Sequence, residues 1–352
     1  MAVTMRDVAR RARVSSKTVS NVVNRRPHVH ESTRARVEQA IRELGYRPNL
    51  SARGLRSGRT GVVGLVLPDL RPPAAAALAD AVLTAAREHD LAVVVSRTGA
   101  DPRSRAGVLA GEPHRTDGLL LAAELLGAPE RALLDGVDHP VVLLGRADVV
   151  VAVDQVAPAD AAAAAAAVRH LLDVGRRRVA VVGAPVGGAP AGGAPADGPT
   201  GRGGAGARVL GYRRALEDAG VPVDPRLVLP ARDGDPRAGA AAVAALLATG
   251  APVDAVLALD DALAVGALHA LADGGLRVPD DVAVMGLGDL APGWARPALS
   301  SVDLGLDDVA RTAVAMLLER VGGAGPGQVP PRRHEAPFRV VVRASTGGPA
   351  GG

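Results

Sequence analysis

The chain has 352 residues, no cysteine, 1% aromatic residues and a formal net charge of +4. That length accommodates two or three domains, and the missing cysteines exclude a disulfide framework and a thiolate metal site. The charge is divided: residues 1–60 carry 14 Lys+Arg against 4 Asp+Glu and the remainder 27 against 33, a +10 head before a −6 body.

A basic head on a mildly acidic body is the footprint of a nucleic-acid-binding head. A merely solvated basic face gives the same numbers, so charge alone does not decide. Arg6, Asp7, Arg10, Arg11 and Arg13 leave no signal-peptide core at the N-terminus. No run of 18 apolar residues suggests a membrane span, and a cytoplasmic protein is expected. With so few aromatics, Val, Leu and Ala must fill the core. The single Ile41 and single Lys17 fit a codon bias toward Arg, Ala, Gly and Pro.

In chain order, the first segment reads as three short helices. Thr4 caps the first, with Asp7 at the capping-box position and Val8, Ala9 and Ala12 as its apolar stripe. The second begins at Ser15, with Val19, Val22 and Val23 inward. The third covers 31–44, with Val37, Ala40, Ile41 and Leu44 inward, and stops at Gly45. Pro48 then forbids helix, and Asn49 caps a further short helix over 50–56.

From Gly61 apolar runs alternate with amphipathic stretches. The runs include 62–67, 91–95, 118–121, 141–144, 179–182, 253–257 and 282–285; the stretches include 74–89, 160–173, 207–219, 236–248 and 261–272. Repeated βαβ of this kind predicts parallel sheets covered on both faces. About 285 residues is large for one doubly wound sheet, so two lobes are expected. Residues 183–206 are Gly/Ala/Pro low complexity, read as a flexible insertion within a body spanning 60–343; residues 344–352 read as a disordered tail. The domain plan is therefore a head over 1–45, a linker over 46–59, the body and the tail.

The first two helices and their tight turn fit a helix-turn-helix. The second presents Ser16, Lys17, Ser20 and Asn21 on its outer face, with the reach and hydrogen-bonding chemistry for major-groove base edges. Thr4, Ser15, Thr18 and Asn24 are placed to reach phosphates. All three Asn residues, Asn21, Asn24 and Asn49, lie in this head. Ordinary surface polarity and capping account more readily for Asn49 than for Asn21.

MRDVARRARVSSKTVSNVVN followed by TRARVEQAIRELGYRPNLSARGLRSGRTGVVGLVLP resembles the LacI/GalR family of bacterial regulators, without gaps over residues 4–68. The resemblance implies a helical DNA-binding head joined to an α/β, two-lobed effector domain like a periplasmic binding protein. It implies a hinge over 49–57 that folds on operator DNA, with Leu55 as a minor-groove wedge and Ala52 beside it. An apolar wedge of that kind kinks the duplex. Tyr46 and Asn49 complete the candidate DNA-binding set. Gly54 costs that hinge roughly 1 kcal/mol of helicity.

In the body, Arg208, Asp260 and Asp289 match effector-contacting positions, and Arg146 and Asp148 match cleft positions more weakly. Asp261 is the second member of the Asp260 pair. A guanidinium fork suits vicinal hydroxyls or a carboxylate. The bland readings are a surface Arg, a helix N-cap for Asp260 and a turn residue for Asp289. The chain departs from the pattern at Pro68–Ala77, which has no aromatic, at Gly288, where the pattern has Asp, and at Val153–Asp160, which lacks the usual Gly-containing turn.

The reading is a homodimeric repressor of a palindromic operator, controlled by a small-molecule effector for which a carbohydrate is one candidate and a ligand-independent body the alternative, with no cofactor, metal, membrane or enzymatic role. The rivals are a solute-binding protein, an enzyme on a doubly wound scaffold and a sequence-neutral architectural DNA binder. The eight scattered His, the absent Cys and the absent G-x-S-x-G argue against the enzyme.

Overall fold

The computed structural model describes residues 3–23, 29–46, 59–99, 101–111, 115–122, 134, 139–145, 152–185, 204–231, 234–290, 293–323 and 329–347. The chain divides into two compact units after Gly61.

In the first unit, α1 (Met5–Ala12) starts with the expected capping box. Thr4 N–H donates to Asp7 Oδ2 at 2.9 Å, and Asp7 N–H donates to Thr4 Oγ1 at 3.4 Å. The Thr4 hydroxyl, which also donates to Asp7 Oδ2, and then the Thr4 N–H hold the Asp7 carboxyl below its usual range. Arg13, in the left-handed region, ends the helix. The tight turn leads to α2 (Ser16–Val23), where Ser15 Oγ accepts from Thr18 N–H at 3.0 Å. The third helix, α3 (Glu31–Leu44), ends at Gly45 with φ +60. The predicted stripes converge: Val8, Ala9, Ala12, Val19, Val22, Val37 and Ala40 form one core, with Val23, Ile41 and Leu44 packed against it. The chain past residue 46, including the predicted helix over 50–56, lies outside the described residues until Arg59.

The second unit holds two parallel sheets. The first has the order β11-β5-β4-β3-β1-β2, from β1 (Val62–Leu67), β2 (Ala92–Arg97), β3 (Gly118–Ala122), β4 (Val141–Leu144), β5 (Asp154–Pro158) and β11 (Arg333–Ala336). The second has the order β7-β6-β8-β9, from β6 (Val179–Ala184), β7 (Val228–Pro230), β8 (Ala255–Ala258) and β9 (Ala283–Met285). A short antiparallel ribbon joins β10 (Ser301–Asp303) to β12 (Arg339–Val341). Helices α4 (Pro73–Glu88) and α5 (Pro102–Gly111) belong to the first half; α6 (Asp160–Asp173), α7 (Ala205–Asp218), α8 (Pro236–Ala248) and α9 (Asp261–Asp273) to the second. Among the described residues no helix is long and apolar enough to cross a membrane.

The two predicted lobes are visible in the cores. Val63, Leu65, Leu120 and Val142 share one core with Val309, Ala313 and Leu317 of α10 (Leu306–Val321). The helices α6 and α7 pack a second core with β6 and β8. Among the described residues the chain therefore crosses between lobes three times, at 158–160, 303–306 and 336–339.

Strands buried on both faces read as continuous apolar runs, as β1, β3, β4 and β8 do. The strand β2 is different. It is the sheet's edge, and Val94 and Val95 are exposed. The tail also differs from expectation. Ser345 and Thr346 are buried rather than disordered. Ser345 Oγ donates to the Val284 carbonyl at 2.6 Å, and Thr346 Oγ1 bonds Ser300 Oγ at 2.8 Å. Small hydroxyls whose partners lie far away in sequence anchor a segment that composition alone reads as loose.

Alanine and glycine let helix pairs approach closely. A Cβ at Gly266 of α9 would sit 1.9 Å from the Pro236 carbonyl oxygen of α8. A methyl there gains up to about 1 kcal/mol of helix propensity. Overpacking costs typically ~1–3 kcal/mol, and here the obstacle is backbone, which no rotamer change relieves. Gly266→Ala should therefore lower the melting temperature of the body by several degrees. Gly206→Ala, where nothing lies within 4 Å, should not. Equal melting temperatures would show that the helix pair has room to separate at that position.

Candidate functional site

The head builds its candidate face from α2 outward. Val19 and Val22 turn inward, which leaves Ser16 and Lys17 exposed and Ser20 and Asn21 half-buried. Ser15 and Thr18 share a hydroxyl–hydroxyl bond of 2.9 Å. Thr4 is engaged with Asp7, to which its hydroxyl donates at 2.6 Å. The Tyr46 ring is buried in the head core with Val8 and Val37. Asn24, Asn49, Ala52 and Leu55 lie outside the described residues.

Beside α2 runs an open depression of about 410 Å³. Ser15, Thr18 and Asn21 line it from the α2 side, and His30, Thr33 and Arg36 line it from the start of α3. The sequence reading does not single out those last three. Their nearness to α2 is a tertiary fact, made by Val37 and Ala40 docking on Val19 and Val22, and no spacing in the chain reports it.

In the body, the candidates gather at the carboxyl ends of β8 and β9, where open α/β sheets bind ligands. Arg208 of α7 donates from Nε to Asp160 Oδ1 at 2.7 Å and from Nη1 to the Leu259 carbonyl at 2.5 Å. Asp260 caps α9, accepting from Leu263 N–H at 2.8 Å. Asp289, with φ +54, accepts from Arg343 at 2.5 and 3.1 Å. Its own N–H donates to Ser301 Oγ at 3.1 Å.

Between them lies Asp261, 3% exposed. Its carboxylate accepts from Ser301 Oγ–H and from Leu290 N–H, both at 2.6 Å. Burial pushes its pKa up, and those two bonds offset that only in part, with Asp289 and Asp260 adding to the rise. A Cβ on Gly286 would stand 2.2 Å from Asp261 Oδ1, so the glycine lets the loop wrap this carboxyl. Each described effector candidate thus has an internal partner: Asp160 for Arg208, the α9 N-terminus for Asp260 and Arg343 for Asp289. Arg146 and Asp148 lie outside the described residues.

The family description "Bacterial regulatory proteins, lacI family" matches residues 4–49, and "Periplasmic binding protein-like domain" matches residues 168–346. The ribose operon repressor of Halalkalibacterium halodurans is 30% identical over 347 residues, 98% of this chain and 97% of the relative. The chain belongs to the LacI family of bacterial regulatory proteins. Among solved structures, a transcriptional regulator CelR–cellobiose complex superposes with a TM-score of 0.69 at 31% identity, over 97% of this chain and 99% of that one. The lac repressor dimer bound to operator and an anti-inducer gives 0.77 over 98% and 99%, at 24% identity, and shares the fold. In this LacI-family chain, the matched segment 4–49 takes in all three described helices of the head and the depression beside α2. The second match begins inside α6 and reaches Thr346, so it includes the buried C-terminal turn that anchors Arg343.

Proposed function

We propose that the chain acts as a homodimeric repressor in which each head reads one half-site of a palindromic operator. A small molecule bound at the carboxyl edge of the second sheet shifts the lobes, and by linkage its affinity and the operator's are reciprocally coupled. The observation that supports the reading is the outer face of α2. Lys17 and Asn21 stand on it beside Ser15 and Thr18, in a segment matched by the family. Asn49, Ala52 and Leu55 belong to the proposed hinge contact with the minor groove, and Arg208, Asp260 and Asp289 to the proposed effector edge. We assign the chain no catalytic role.

The test is selection of duplexes from a random pool with the full-length protein. A palindrome with two equal half-sites is expected. Lys17→Ala and Asn21→Ala should each cost ~1–3 kcal/mol on the selected duplex and relax preference at one position of each half-site. A pool without symmetry or consensus would overturn the operator reading. Uniform weakening on every sequence would make both residues phosphate contacts.

A further inference from the structure

The depression beside α2 contains a titratable group that the operator reading does not use. His30 is exposed at the start of α3, and its Nδ1 lies 3.0 Å from Ser32 Oγ. It shares the depression with Ser15, Thr18 and Asn21 of α2 and with Thr33 and Arg36 of its own helix. The α2 wall thus offers two hydroxyls and an amide but no charge. On its own helix the charged residues near His30 in sequence are Glu31, Arg34 and Arg36. The depression therefore offers hydroxyl donors on one side and a guanidinium and an imidazole on the other. That donor set suits a phosphate of a duplex whose bases face Lys17 and Asn21.

We propose that a backbone phosphate of the bound duplex seats in this depression against His30, and that operator binding is linked to protonation of His30. The proposal rests on the DNA-binding reading of the head and adds a specific residue and a specific dependence to it. Imidazole is the side chain whose charge changes between pH 5 and 8. A phosphate stabilises the charged ring, so protonation of the ring and binding of the duplex favour each other. The sign follows from linkage: the contribution is full on the acid side and is lost as pH rises through the ring's titration in the complex. Carboxylates and guanidinium groups ordinarily titrate outside that range and so do not account for such a dependence.

The experiment measures affinity of the full-length protein for the selected palindromic duplex at constant ionic strength. For the wild type, binding should tighten about tenfold per head between about pH 8 and about pH 5.5. His30→Gln keeps a hydrogen-bonding side chain without the charge and should flatten the profile near the alkaline value. His30→Arg should hold the tighter value at both ends. Far-UV circular dichroism confirms that each head stays helical, and because the two variants move in opposite directions, a general loss of folding cannot imitate both. A flat wild-type profile overturns the proposal. So does a His30→Gln protein that keeps the wild-type slope, which would place the proton elsewhere, His28 included. Failure to select any palindrome would instead remove the operator reading itself.

Discussion

Asp154→Asn should destabilise the effector-domain fold by about 3–5 kcal/mol, as expected when one member of a buried ion cluster is removed. Asp154 is fully buried at the start of β5. Its carboxylate accepts four hydrogen bonds. Arg320 donates from Nε and Nη2 at 3.0 and 2.7 Å, and Arg332 donates from its backbone N–H and from Nη2 at 2.8 and 2.9 Å. Arg320 also donates to the carbonyls of Val329 and Pro330 at 2.9 and 3.0 Å. The cluster thus ties α10 and the return to β11 onto β5. An amide at position 154 would turn an N–H₂ toward two guanidinium groups and leave a buried cation without its counter-charge. Urea unfolding of the full chain, followed by far-UV circular dichroism, reads the loss. A cost below about 1 kcal/mol, the level of an exposed pair, would show that the cluster is solvated. Replacing Asp154 and Arg320 together by Leu and Met should recover much of the loss, because apolar packing without stranded charge is often neutral.

The same cluster sets a pH window. Burial alone would raise the pKa of Asp154, but the hydrogen bonds from Arg320 and then Arg332 outweigh it and hold the group at about 2, against an ordinary 3.8. A depressed carboxyl stabilises the fold above its unfolded pKa and loses that contribution as pH falls through the folded one. The difference between wild type and Asp154→Asn should therefore be constant above about pH 4 and shrink toward about pH 2. A gap that stays constant down to the acid end would assign the loss to packing rather than to charge.

What the sequence could and could not carry follows from where each element finds its partners. The helices over 31–44, 160–173 and 236–248 and the strands over 62–67 and 141–144 coincide with the expectation, because each is specified by its own cap, period or apolar run. The strands over 301–303, 333–336 and 339–341 were not among the runs. They are three or four residues long, and Arg-His-Glu-Ala over 333–336 buries only Ala336 fully. They are strands because a neighbour far away in the chain pairs with them: Arg333 faces Gln155 and Ser301 faces Val341. Local pattern has no access to such pairings, so two lobes were legible from size while the three crossings were not.

The site divides in the same way. The outer face of α2 was legible because helical period alone separates Val19 and Val22 from Lys17 and Asn21. The packing of Tyr46 was not, since a residue just past a helix C-cap can fold back or point away, and here it joins the head core. In the body, the bland readings of Asp260 and Asp289 describe what the structure places there, a helix cap and a left-handed turn residue. The partners of Asp289, Arg343 and Ser301, come from parts of the chain that no motif connects to it.

Affinity for the selected duplex should fall about 10³- to 10⁵-fold between about 50 and 200 mM salt, the range for six to ten phosphate contacts. The head's +10 is the reason, and the chain's overall +4 understates it. At physiological ionic strength the Debye length is about 8 Å, so acidic groups of the body weaken binding only where they approach the duplex, while head groups in contact act in full. Arg6, Arg13, Lys17, Arg36 and Arg42 are exposed. Arg10 and Arg11 pair with Asp7 and Glu43, but such exposed pairs are worth only about 0–1 kcal/mol, less than a phosphate contact returns through counterion release. Lys17→Ala and Arg36→Ala therefore provide a discriminating pair. If Arg36 touches phosphate, its loss should reduce the slope of log K against log salt by about one per head on any sequence. If Lys17 reads a base, its loss should change sequence preference more than slope. A shallow salt dependence of the wild type would mean that few phosphates are neutralised, and would return the basic head to an ordinary solvated surface.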